Sequence, residues 1–212
     1  MINHVSSRTA ITIVVLMTIA LQTVPPHPIQ DSASETAGKT IVIANPRKVI
    51  EHRARQVILA IKKKDMTRLS TFIHPDRGIR FTPYTYVSID DDLVFTRSNI
   101  KNLWSNKDRF VWGSYEGSGD PILLTFRGYY KQFIYDFDFA GLRSVTYQSS
   151  NTGSSMNNPW EFYPGAIVVG YHWPGREAPR GGAMDWKGLR LVFQEKAGKW
   201  YLVGIIHDEW LI

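Results

Sequence analysis

The sequence predicts an α+β domain whose N-terminal helices pack on one face of a curved, mainly antiparallel sheet. Three observations predict it. Apolar residues recur at helical spacing from residue 46 onward, alternating β-branched and aromatic runs fill the later half, and Ala197-Gly198 joins two long runs as a tight turn. Helices first and strands after them is the order that gives segregated layers around one core. With 212 residues, 43% of them hydrophobic and 13% aromatic, the chain can bury that core, which excludes general disorder.

Residues 1–20 read as a secretory signal peptide. A polar start with Arg8 leads into an almost unbroken apolar run over 10–21. As a helix that run is about 18 Å long, short of the roughly 30 Å hydrocarbon core of a bilayer. Thr18 and Ala20 supply the small residues of a cleavage site; an uncleaved anchor is the alternative. Residues 21–44, rich in Pro, Ser and Thr, read as a flexible linker, with a candidate short strand at Ile41-Val42-Ile43. Residues 45–212 then form a single domain.

Asn45 caps the first helix and Pro46 starts it; Ile50, Ala54, Val57, Ile58 and Ile61 form its apolar face. Lys62-Lys63-Lys64 falls in the last turn, where the helix dipole favours cations, and reads as a helix end rather than a nucleic-acid patch. Asp65 caps a short helix with Leu69, Phe72 and Ile73, stopped by Pro75. Ser98 caps a third with Ile100, Leu103 and Trp104. Thr125 caps a fourth, where Phe126, Tyr129, Tyr130, Phe133, Ile134 and Phe137 make an aromatic core stripe. Strands are expected over 79–87, 109–115, 143–148 and 165–173, then in a hairpin of 188–196 with 199–210. A two-residue loop pairs Arg190 with Ile205, Val192 with Val203 and Phe193 with Leu202.

Several function classes drop out. Zero cysteines remove disulfides, thiol nucleophiles, Cys-ligated zinc and a lipid anchor on cysteine. No phosphate loop, no His-Glu-x-x-His and no Gly-x-Ser-x-Gly elbow is present. Gly117-Ser118-Gly119-Asp120-Pro121 reads as a turn, and Asp90-Asp91-Asp92 as an acidic turn lacking calcium-loop spacing. The net charge of +6 suits anionic wall polymers or membrane surfaces. It is dispersed and without a binding motif, so no nucleic-acid partner is expected. Arg176–Gly182 reads as a solvated loop.

Several stretches carry a resemblance. They are His74-Pro75, Gly78-Ile79-Arg80-Phe81-Thr82-Pro83-Tyr84, Trp112-Gly113-Ser114-Tyr115-Glu116-Gly117-Ser118-Gly119-Asp120-Pro121, Met184-Asp185-Trp186, Leu189-Arg190-Leu191-Val192-Phe193 and the run from Trp200 to Trp210. Together they resemble a group of uncharacterised exported bacterial proteins, seen alone or appended to other cell-surface modules. The resemblance covers residue 47 to the end and is most specific in the final hairpin. It implies secretion to the periplasm, cell surface or exterior and a compact domain, here of the nuclear-transport-factor-2-like (cystatin-like) cone type. It implies no catalytic residues.

In the strand, His207 and Glu209 share a face and Asp208 points away; neither a metal site nor a cofactor is expected there. The expected register makes Arg190 and His207 diagonal neighbours on one face. They are the candidate catalytic pair, and with Tyr84, Trp112 and Tyr129 the candidate ligand-binding set. The alternative is that Arg190 pairs with Asp136 or Glu209 and caps the core. The leading functional expectation is an exported, non-catalytic binding or accessory module, its partner a small ligand or an anionic envelope polymer. Membrane contact is expected only through the signal segment, if it is uncleaved. The alternative is a small cone-fold enzyme of hydrolase or isomerase type, with His207 as base and Arg190 stabilising negative charge. A third is an adhesion module using Trp104, Trp160, Trp173 and Trp186 in one exposed patch.

Overall fold

Pro46, whose ring presets a helical φ, opens α1 (Pro46–Lys62) in the computed structural model, which describes residues 46–143, 145–149, 159–176 and 184–209. The signal segment, the linker, the 41–43 strand, Asn45 and Trp210 lie outside the described residues. The buried face of α1 is the expected one, Ile50, Ala54, Val57, Ile58 and Ile61 with Ala60. Asp65 caps α2 (Met66–Phe72), its carboxylate accepting from the Arg68 N–H. α3 (Arg97–Leu103) is capped by Thr96, not Ser98. Thr96 and Asn99 exchange side-chain and backbone hydrogen bonds, a reciprocal box that Ser98 lacks the spacing to form.

Thr125 caps α4 (Phe126–Tyr129), which widens into a π-helical turn over Tyr130–Ile134. The aromatic stripe is buried through Ile134. Phe137 falls beyond the helix, because the chain turns at Tyr135, and it stacks on Trp173 with ring centroids 4.6 Å apart. A short helix, α5 (Pro159–Phe162), stands at the end of the stretch expected to be loop.

The strands are β1 (Ile79–Thr82), β2 (Leu93–Phe95), β3 (Arg109–Ser114), β4 (Pro121–Thr125), β5 (Val145–Ser149), β6 (Ile167–Trp173), β7 (Lys187–Lys196) and β8 (Lys199–Glu209). Six form one open sheet in the order β2-β1-β8-β7-β6-β5, antiparallel except for the parallel pair β1 and β8; β3 and β4 form a separate hairpin. Gly78 enters β1 at φ +67°, and a Cβ there would stand 2.5 Å from the Phe95 carbonyl oxygen. Only glycine fits.

The turn at Ala197 and Gly198 has positive φ at both residues, +50° and +75°, as a twisted two-residue hairpin loop requires. Phe193 faces Leu202 as expected, but the register then shifts by one residue. Val192 lies opposite Gly204 rather than Val203, and Arg190 opposite Ile206 rather than Ile205. The cause is a β-bulge in β8, an extra residue that no turn-based register anticipates.

The sheet buries both faces. Phe81, Val169, Leu191, Phe193, Leu202 and Ile205 join the helices and the β3–β4 hairpin in the main core. The opposite face holds a smaller core of Val168, Val192, Val203 and Ile206 with Val87, Tyr163 and Ala166. This is the expected layered α+β domain.

Candidate functional site

The bulge decides the site. Leu189 lies opposite His207 and Arg190 opposite Ile206. Neighbours along a strand point to opposite faces, so His207 faces the helices and Arg190 the other side of the sheet. The expected Arg190–His207 pair does not form: the two side chains lie on opposite faces of the sheet.

His207 is wholly buried. Its Nδ1 lies 3.1 Å from the Pro83 carbonyl oxygen and its Nε2 3.3 Å from Asp136 Oδ2. Both partners are acceptors, so either ring nitrogen has a place to put a proton. The Phe133 ring meets the imidazole edge to face, centroids 5.6 Å apart. Lys187 completes the cluster: its ammonium is 3.0 Å from Asp136 Oδ2 and also grips Glu209. Burial pushes the Asp136 carboxyl up, but the hydrogen bonds and charges of His207 and Lys187 outweigh it and hold the group below the usual carboxylate range. Lys187 is raised: burial opposes its charge, and Glu209 and Asp136 more than compensate.

Asp136, His207 and Glu209 bring ligand atoms within 4.8 Å of one another, the one group among the described residues with the composition to hold a metal ion. The Lys187 ammonium already bridges its two carboxylates, so the positive charge that a metal would bring is supplied by a side chain.

On the far face Arg190 donates to the Thr85 carbonyl oxygen at 3.0 Å and lies 3.5 Å from Asp208. Thr85 Oγ1 in turn donates to Asp208 Oδ1 at 2.6 Å. Burial pulls the guanidinium below its ordinary value, and Asp208 partly offsets this. The expected acidic partners of Arg190 are therefore elsewhere: Asp136 and Glu209 serve His207 and Lys187. A small cleft of about 160 Å³ lies beside Arg190, with Gly170 and Gly188 in its floor.

The other three candidates connect to His207 through Phe133. Trp112 stacks on Tyr129 at 4.0 Å, Tyr129 meets Phe133 at 5.1 Å, and Phe133 meets Tyr84 at 5.7 Å. Four of the five predicted residues thus share one connected ring cluster. Trp112 and Tyr129 are 0% and 1% exposed, however, so they fill the space between sheet and helices rather than wall a pocket in it. The Tyr129 hydroxyl has no hydrogen-bond partner among the described residues.

Sequence reasoning passed over a second feature. Trp104 lies on the helical side of the molecule in a surface cleft lined by Lys62, Lys64, Arg127 and Lys131. Its local signals were the lysine run at the end of α1 and Trp104 itself. Trp160, offered with Trp104 as part of an exposed patch, instead packs against the smaller core and donates from Nε1 to the Ala166 carbonyl oxygen at 3.2 Å.

The architecture places the chain among α+β proteins with an open, mostly antiparallel sheet covered by helices. Solved structures similar to it include a nuclear-transport-factor-2-like protein with a cystatin-like fold from Novosphingobium aromaticivorans. That likeness has 14% identity over 77% of this chain and 80% of the other, with a TM-score of 0.38. Others are nuclear-transport-factor-2-like proteins from Cytophaga hutchinsonii, at 13% identity over 78% and 98% with a TM-score of 0.35, and from Shewanella oneidensis, at 9% over 78% and 100% with 0.34. The Shewanella protein is described as of unknown function. No protein-family model and no curated protein sequence matches the chain. At these identities and TM-scores the fold assignment rests on the strand order and layers of this chain itself.

Proposed function

We propose that the chain is an exported, non-catalytic binding or accessory module of a bacterial envelope or its surroundings. One observation carries the reading. The space between sheet and helices, where a cone-shaped domain would admit a substrate, is filled by the stacked Trp112–Tyr129 pair and the rings around it. His207, the one candidate base in that space, is spent on two internal hydrogen bonds. A binding module needs only its surface, and the signal pattern at residues 1–20 supports export.

The test pairs two measurements on the purified protein. It is expected to be retained by an isolated envelope fraction and to show no turnover on a panel of hydrolase and isomerase substrates. Turnover that disappears in a folded His207→Gln variant, without envelope retention, would overturn the reading.

A further inference from the structure

The turn between α1 and α2, the end of α3 and the start of α4 close on a surface cleft of about 620 Å³. Four cations line it, Lys62, Lys64, Arg127 and Lys131, and among the described residues no carboxylate does, although Asp138 holds Lys62 and the Tyr135 hydroxyl. Lys62 is neutralised from outside, its ammonium 2.9 and 2.8 Å from the two oxygens of Asp138. The other three have no ion pair among the described residues. Like charges brought together in one depression repel one another, and a bound anion would relieve that repulsion.

The geometry is held in place. Lys64 stands at φ +57°, a left-handed backbone that strains a lysine and suits a glycine. From there its ammonium reaches to 5.5 Å from the centre of the Trp104 ring. The Arg127 guanidinium lies 5.4 Å from the same ring while its Nε donates to the Trp104 carbonyl oxygen at 2.7 Å. Trp104 is itself fixed by edge contacts with Tyr130 and Phe126, centroids 5.1 and 6.2 Å away. Tyr135 adds a second ring to the wall.

We infer that this cleft is the binding site of the module, and that its ligand is an acidic saccharide unit of an envelope polymer. The inference rests on the binding-module reading above. A carboxylate or phosphate placed among Lys64, Arg127 and Lys131 supplies the missing negative charge through charge-assisted hydrogen bonds. Beside the cations that sit over Trp104, the Tyr135 side chain supplies apolar wall for the C–H groups of a sugar ring. The volume lies in the range of pockets that take a ligand of a few rings. A single nucleic-acid strand uses the same pairing of cations and rings, but along a track several nucleotides long; here the cations converge on one depression.

Titration calorimetry tests the site with four probes: oligogalacturonate, a phosphodiester-linked oligosaccharide, neutral dextran and oligothymidylate. An acidic oligosaccharide is expected to bind, more weakly as salt rises, and dextran to give no signal. Whichever acidic probe binds identifies the charged group as carboxylate or phosphate. Lys64→Gly relieves the backbone strain, so its melting temperature is expected to hold or rise while binding weakens at least fivefold. Lys131→Ala weakens binding to a similar extent, and Lys199→Ala, at the start of β8 outside the cleft, leaves it unchanged. Failure of both acidic oligosaccharides, tighter binding of oligothymidylate, or unchanged affinity in the Lys64 and Lys131 variants overturns the inference. The envelope-retention assay keeps the two failures apart. Equal retention of wild type and variants removes the cleft and leaves the module reading standing, whereas loss of all retention removes that reading.

Discussion

On the helix-covered face of the sheet, Phe81 alone meets the rings of Phe95, Trp112, Phe126 and Tyr129, each edge to face at 5.9 to 6.0 Å. On the opposite face of the same sheet, Val168, Val192, Val203 and Ile206 meet Val87, Tyr163 and Ala166, with Trp160 and Phe162 packed beside them. Each face also buries an acidic residue in a polar cluster. Asp136 is held by a histidine and a lysine. Asp92 accepts hydrogen bonds from Thr82 Oγ1 at 2.6 Å and the Ser88 N–H at 3.0 Å, with no ion pair among the described residues. The comparison teaches that one sheet can carry two cores of different composition, and that a buried carboxylate takes its character from its partners. Burial pushes Asp92 up to about 6 despite its hydrogen bonds, whereas charge holds Asp136 down despite its burial.

The largest effect should separate the two cores. Trp112→Ala is expected to destabilise by about 4 kcal/mol, since an aromatic removed from a close-packed interior leaves a cavity that cannot collapse. Val203→Ala on the other face removes two carbons and should cost about 2 kcal/mol. Denaturant midpoints of the two variants measure the difference; equal losses would erase the distinction between the cores.

Asp136→Ala should come next, at roughly 3 kcal/mol, because it strips His207 of a partner and leaves Lys187 with Glu209 alone. The pH dependence of unfolding then sharpens the contrast between carboxylates. Asp136 is lowered in the fold, so its contribution is present above the ordinary carboxylate value of 3.8 and is lost as pH falls through its lower folded value. Asp92 is raised, so its contribution is full below 3.8 and is lost as pH rises through about 6. A loss on the order of 3 kcal/mol between those limits corresponds to the Asp92 shift, and Asp92→Asn should abolish it while leaving the acid limb intact. A variant that flattened both limbs would contradict the separation.

The smallest effect concerns exposure. Asp138 grips Lys62 as closely as Asp136 grips Lys187, but at the surface, where water and salt screen the pair. Asp138→Asn should therefore change stability by less than about 1 kcal/mol. A loss matching that of Asp136→Ala would show that exposure does not set the difference.

Much of the layout was legible. The face of α1 follows from its spacing, since seventeen residues leave one apolar stripe and the core takes it. The Ala197-Gly198 turn follows from local backbone chemistry. The third helix cap was misplaced because Thr96 and Ser98 are both good caps, and only Asn99 at the right distance chooses between them. β2 and β4, with three and five residues, are too short to show a period before their partners are known. In the site, alternation correctly put His207 and Glu209 together and Asp208 apart. It could not supply Asp136, which lies 71 residues from His207.

The amino-acid sequence by itself determined the order of the layers, the buried faces of the helices and the closing hairpin turn, because each depends on residues within one or two turns of one another. Only the tertiary structure decided that Arg190 and His207 part company across the sheet, that Trp112 and Tyr129 fill the interior, and that three cations converge beside Trp104. The physical reason is the same in each case. A bulge, a packed stack and a charged cleft depend on which distant segments meet, and strand alternation or helical period carries no record of that meeting.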